Sequence, residues 1–292
     1  MRLYTIEIDK KEYVAVLNQR GQLVTMDSLG IDIRDMKELI RTYSQVKESI
    51  ARGLREETGH ALAMEDCHIL APIPVPDQDV ICLGVNYKEH VDETADVVDF
   101  TDQAATVYFS KRVNRATPPE GEIPFYDFVD SLDYEVELGV ILGHDAYRVS
   151  SEKASDHIFG YTIINDVSAR NVQLRHQQWY LGKSLDGYTP MGPCIVTADE
   201  LKKVDDLTIE CFVNGEKRQS SNTSLMITSV QEAIAELSQG MTLRAGTILA
   251  TGTPGGVGMG MNPPGFLKEG DRVCCRIEGI GELKNLVSKH RA

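Results

Sequence analysis

The stretch 133-DYEVELGVILG-143 decides how this chain is to be read. Val136, Leu138, Val140, Ile141 and Leu142 mark a buried strand, yet Glu135 and Glu137 stand inside it two residues apart. Side chains alternate across a strand, so the two glutamates share one face, with Tyr134, Val136 and Leu138 on the other. Two carboxylates a few ångströms apart in an apolar setting raise one another's pKa, and an isolated buried charge is costly. A divalent cation offsets both effects, because hard cations take oxygen ligands. Asp166 offers a third carboxylate. It closes the apolar run 159-FGYTIIND-166, 29 residues after Glu137, which leaves room for a return strand beside the first. Three carboxylates with no cysteine nearby point to Mg²⁺ or Mn²⁺ and leave positions for substrate and water. The same pattern has a second reading, in which the glutamates face water on a one-sided sheet and Asp166 caps a helix.

Other residue types gather around this set. Lys183 lies in 181-LGKSLDG-187, just past a helix predicted from Ser168 to about Tyr180. Beside three carboxylates and a metal it would stay charged and could stabilise an enolate; otherwise it is a surface lysine. Gln173 follows Asp166 by seven residues, two helical turns, and so projects the same way. His90 and Glu93 are spaced as neighbours on a helix face, either a general-base dyad or a solvated pair. The loop 251-TGTPGGVGMG-260, with Gly252 and Thr253, exposes backbone N–H groups and hydroxyls able to bind a carboxylate. It is neither a P-loop nor a dinucleotide fingerprint.

Outward from the site, the chain divides at 69-ILAPIPVPDQD-79, where three prolines set an extended linker. Residues 1–74 form a small N-terminal unit, with strands in RLYTIEI and EYVAVLN and a helix over 34-RDMKELIRTYSQVKESIARGL-54. Residues 75–292 form the larger unit, with a polar segment 88-KEHVDETADVVDF-100 read as a mobile helix or lid. Asn214-Gly215 signals a hairpin, Ser229 with Glu232 a capping box. Strands outnumber helices without regular alternation, so the predicted fold is mixed α/β and β-rich, not a (β/α) barrel.

Net charge is −14, from 30 basic and 44 acidic residues, which disfavours nucleic acid and anionic membrane surfaces as partners. The N-terminus shows no apolar signal core and no run is long enough to span a membrane. The six cysteines make no C-x-x-C pair and read as buried thiols, so a cytoplasmic location is expected.

Taken in order, 82-CLGVNYKEHVDE-93, 133-DYEVELGVILG-143, 165-NDVSARNVQ-173, 182-GKSLDGYTPMGP-193, 213-VNGEKRQ-219 and 250-ATGTPGGVG-258 resemble the fumarylacetoacetate hydrolase family from about Val80 to the C-terminus. The first 70 or so residues resemble a small N-terminal domain that some members carry. The resemblance implies a β-roll and a homodimer, with Mg²⁺ or Mn²⁺ held by Glu135, Glu137 and Asp166. It places His90 and Glu93 in a lid dyad and Lys183 at the reacting carbonyl. Gln173, Gly252 and Thr253 fall in substrate-contacting segments, and Lys111 matches a lysine of the pocket, although Arg112 replaces the usual proline. Val85 stands where some acylpyruvases have arginine, which bears on specificity. The expected function is metal-dependent C–C bond cleavage in a small 2-oxo or diketo acid, of the acylpyruvate or fumarylpyruvate hydrolase type. An oxaloacetate-type decarboxylase, or a 2-hydroxyhepta-2,4-diene-1,7-dioate isomerase/decarboxylase, is the alternative; a non-enzymatic binding protein on the same fold is the second.

Overall fold

A computed structural model describes residues 1–94 and 106–290. The stretch Val136–Leu142 is the axis of the molecule. It pairs antiparallel with Ile158–Asn165 on one side and with Ile248–Ala250 on the other. These strands sit in the middle of an 11-stranded sheet that runs out through Val80–Gly84 to the edge strand Val107–Lys111. In the other direction it continues through Met191–Thr197 to Arg2–Ile8 and Lys11–Leu17. Leu3 lies opposite Ile195, so the strands of residues 1–74 extend the sheet of residues 75–292.

A five-stranded sheet packs on one face, with Thr208–Val213 and Arg272–Ile277 at its centre. Val136, Leu138, Val140 and Leu142 share a continuous apolar core with Ile209, Cys211, Val273 and Cys275 of that sheet. The opposite face of the same strand carries Glu135, Glu137, Gly139 and Ile141. Ile141 joins a second core with Phe159, Ile164 and the buried stripe Met36, Leu39, Ile40 and Ile50 of the helix Met36–Glu56. Each fully buried aliphatic side chain contributes about 1.5–3 kcal/mol, so a strand buried on both faces is strongly fixed. Gly139 has to lack a side chain, because a Cβ there would lie 2.8 Å from Thr162 and 2.9 Å from Ile164.

Local signals act as the sequence indicates. Asn214 and Gly215 both have positive φ (53° and 82°), which closes the hairpin of Thr208–Val213 and Glu216–Asn222. Ser229 and Glu232 form a reciprocal capping box ahead of the helix Val230–Ser238. One expectation is corrected. The region Ser168 to Tyr180 is not one helix: Ser168–Ala169 is a strand paired with Leu132–Asp133, a helix spans Arg170–Arg175, and a second spans Tyr180–Lys183. Of the expected helix or lid over 88–100, a helix covers Lys88–Thr94, and residues 95–100 lie outside the described residues. The six cysteines are free, and no described helix is long and apolar enough to cross a membrane.

Candidate active site

The strand pairing that fixes the core also assembles three carboxylates. Val136 lies opposite Asn165, and the Asp166 N–H donates to the Glu135 carbonyl at 2.8 Å. Asp166 therefore leaves its strand beside the point where the two glutamates begin. One oxygen from each of Glu135, Glu137 and Asp166 lies within 4.8 Å of the others. Their exposures are 4%, 1% and 1%, which rules out the solvent-facing reading of the glutamates.

Three buried cations surround this set. Lys183 Nζ donates to Glu135 Oε2 and Asp166 Oδ2, both at 2.7 Å. Lys111 Nζ donates to Asp166 Oδ1 and, at 3.2 Å, to the Val167 carbonyl. Arg170 Nε donates to Asp133 Oδ2 at 2.9 Å, and its Nη2 lies 2.6 Å from Glu135 Oε1 as a charge contact outside hydrogen-bond alignment.

The carboxylates are treated unequally. Burial works to raise Glu135, but the charges of Lys183 and Arg170 outweigh it and hold that carboxyl well below the usual range. Glu137 goes the other way. Burial, then the negative charges of Asp166 and Glu135, push it well above the usual range. It accepts one hydrogen bond, from Gly252 N–H at 2.8 Å. Burial opposes the Lys183 charge, yet Asp166 and Glu135 more than compensate and raise it. A cluster of oxygen donors in which one member lacks a counter-charge fits a hard divalent cation held by Glu135, Glu137 and Asp166.

Above the carboxylates, His90 Nδ1 lies 2.8 Å from Glu93 Oε1, and Glu93 Oε2 accepts from Gly256 N–H at 2.7 Å. The pair expected from spacing is thus anchored to the glycine loop. Gly260 must stay bare for this, because a Cβ there would fall 2.6 Å from Glu93 Oε2. Glu135, Glu137, His90, Arg170, Gln173, Lys183 and Thr253 line one cavity. Lys111 lies behind Asp166, and Gly252 is used to hold Glu137; neither lines that cavity. Gln173 is fixed by Arg170 Nη1 at 3.0 Å. Thr253 Oγ1 donates to the Val136 carbonyl at 3.0 Å.

Three residues that the sequence did not single out do much of the positioning. Asp133 accepts from Tyr134, Gly258 and Met259 N–H and from Arg170, and so ties the strand, the glycine loop and the guanidinium together. Gln219 accepts from Val136 N–H at 3.1 Å and donates to Thr253 Oγ1 and the Pro254 carbonyl, both at 2.8 Å. Arg170 is the third. A signal for Asp133 was present: Asp133, Glu135 and Glu137 follow one period-two pattern. Val85, also in the cavity wall, has φ 57°, a left-handed conformation that is costly for a β-branched residue.

Fold and site define a β-rich protein with a three-carboxylate cation cradle beside a histidine–glutamate dyad. Residues 79–288 match the family model described as fumarylacetoacetate (FAA) hydrolase C-terminal. The chain is 44% identical over 226 residues to the oxaloacetate tautomerase YisK of Bacillus subtilis (strain 168), covering 77% of this chain and 74% of that one. A fumarylacetoacetate hydrolase from Exiguobacterium antarcticum superposes with a TM-score of 0.83 at 36% identity, over 99% of this chain and 100% of the other. A maleylpyruvate hydrolase from Sphingobium sp. SYK-6, in complex with manganese(II) ion and pyruvate, gives 0.81 at 25% identity over 100% of both chains. The chain belongs to the fumarylacetoacetate hydrolase family.

Proposed function

We propose that the protein binds Mg²⁺ or Mn²⁺ and cleaves a C–C bond in a small 2-oxo acid through its enolate, in the manner of an acylpyruvate hydrolase. The carrying observation is the His90–Glu93 pair, anchored by Gly256 N–H, whose His90 lines the same cavity as Glu135, Glu137 and Lys183. Bound in the cradle, the divalent cation supplies Lewis acidity toward the 2-oxo carboxylate unit. Lys183, held cationic, offers its charge to the oxygen on which negative charge develops. Glu93 accepts from the Nδ1–H of His90, which makes Nε2 the basic nitrogen. His90 then draws a proton from water. The resulting hydroxide adds to the C4 carbonyl, the C3–C4 bond breaks, and its electron pair passes into the pyruvate enolate. Protonation at C3 gives pyruvate and a carboxylic acid. Gln173, fixed by Arg170 Nη1 at 3.0 Å, orients the acid.

The 44% identity to an oxaloacetate tautomerase favours a second reading. Here His90 moves a proton between C3 and the enol oxygen, and no bond between carbons breaks. One set of assays with Mn²⁺ separates the two: pyruvate release from acetylpyruvate against loss of the enol absorbance of oxaloacetate. His90→Ala should abolish pyruvate release while leaving Mn²⁺ binding in place. Release that survives His90→Ala sinks the assigned role of the dyad.

A further inference from the structure

Half of the residues that line the cavity are apolar. From Lys183 its wall runs away from the carboxylates through aromatic contacts. Lys183 Nζ lies 5.4 Å from the Phe109 ring, Phe109 packs edge-on at 5.2 Å against Trp179, and Trp179 covers Gly84 so closely that a Cβ there would lie 2.5 Å from its ring. Leu83, Val85, Leu174 and Met259 are the other apolar residues that line the cavity. Lys183 and Arg170 are the only lysine and arginine that line it among the described residues.

The cations that do line the cavity are already engaged. Lys183 is shared by Glu135 and Asp166, and Arg170 by Asp133 and Glu135. Four buried carboxylates, Asp133, Glu135, Glu137 and Asp166, face three buried cations, Lys111, Arg170 and Lys183. Ionised, the set carries one net negative charge, so a divalent cation held there would leave at most one net positive charge. A single substrate carboxylate balances it. A second one would find no further lysine or arginine among the described lining residues.

We infer that the substrate carries one carboxylate, at its 2-oxo end, and an uncharged, apolar group at the other end, seated against Trp179 and Leu174. This rests on the 2-oxo acid reading above and narrows it. Trp179 is the sole tryptophan, so its fluorescence reports occupancy of this wall. The test titrates the Mn²⁺-loaded protein with two five-carbon acids, 2-oxopentanoate and 2-oxoglutarate, which differ in the charge of the far end. The neutral-tailed acid should bind at least about tenfold more tightly, because a carboxylate with no cation partner against an apolar wall is disfavoured. Leu174→Arg places a cation on a side chain that is 46% exposed, and should narrow or reverse that ratio. Equal or tighter binding of 2-oxoglutarate by the unmodified protein overturns the inference and leaves the 2-oxo acid reading standing. Failure of both acids to bind while Mn²⁺ binds overturns both. A folded Leu174→Arg protein with an unchanged ratio overturns the placement of the tail.

Discussion

Asp133→Asn tests whether the site is held by its buried ionic frame. Asp133 Oδ1 accepts from Gly258 N–H at 2.7 Å and Tyr134 N–H at 3.0 Å, and Oδ2 from Arg170 Nε–H at 2.9 Å and Met259 N–H at 3.0 Å. Asparagine can keep the first two. Its amide nitrogen then confronts two N–H donors, and Arg170 loses one of two carboxylate partners while staying buried. Breaking one side of a buried ion pair costs about 3–5 kcal/mol. At about 2–4 °C per kcal/mol for a chain of this size class, the metal-free protein should melt about 6–20 °C lower. A second effect follows from Glu135. With Asp133 neutral, Arg170 bears fully on Glu135 and competes with the cation, so Mn²⁺ affinity should fall about 10–100-fold, as for other groups that orient metal ligands. Differential scanning calorimetry gives the first number and isothermal titration with Mn²⁺ the second. A melting point within about 2 °C of the unmodified protein refutes the ionic accounting. A large melting change with unaltered Mn²⁺ affinity refutes the positioning role.

Glu137→Gln separates metal binding from folding: burial and the charges of Asp166 and Glu135 work against the ionised form of Glu137, so the metal-free melting point should hold or rise slightly, while the Mn²⁺-induced shift disappears. The pH dependence follows from the same group. A carboxyl raised by folding stabilises the metal-free protein fully below the ordinary glutamate range, and that contribution is lost as pH rises through its raised folded value. The cation needs the ionised form, so the Mn²⁺-induced rise in melting temperature should grow as pH rises from the ordinary glutamate range through the raised folded value; a constant or shrinking shift is the contrary result. Gly84→Ala drives a Cβ to 2.5 Å from Trp179, and should cost about 1–3 kcal/mol by overpacking and change Trp179 emission; unchanged emission shows that the ring does not abut Gly84.

What the sequence reveals here depends on how local the determinant is. Strand alternation alone brings Glu135 and Glu137 to one face, and the end of an apolar run marks Asp166, because both features are properties of single strands. Lys183 and the His90–Glu93 spacing are legible once the carboxylates are in view. Arg170 is not, because its role depends on where a helix begins. A 3.6-residue pattern over Ser168 to Tyr180 gives no sign that Ser168 and Ala169 spend their backbone groups on Leu132–Asp133, and that pairing is what turns Arg170 inward to Asp133. Lys111 and Gln219 are hidden for a related reason. Their partners, Asp166 and Thr253, lie just past the ends of other strands, 55 and 34 residues away. No periodicity within one segment encodes such a distance.

Two glutamates in an apolar strand would be mutually destabilising if their surroundings were alike. They are not alike. Glu135 lies between Lys183 and Arg170, while Glu137 has the single N–H of Gly252 and the repulsion of its two neighbours. The frame thus stabilises one carboxylate as an anion and leaves the other deficient by about one positive charge. A monovalent cation would restore neutrality but could not also attract an anionic acid. A divalent one would do both, because after balancing Glu137 it would leave positive charge facing the cavity. Under the proposed function, the uneven partnering of Glu135 and Glu137 is therefore what would couple retention of the cation to recruitment of a single carboxylate.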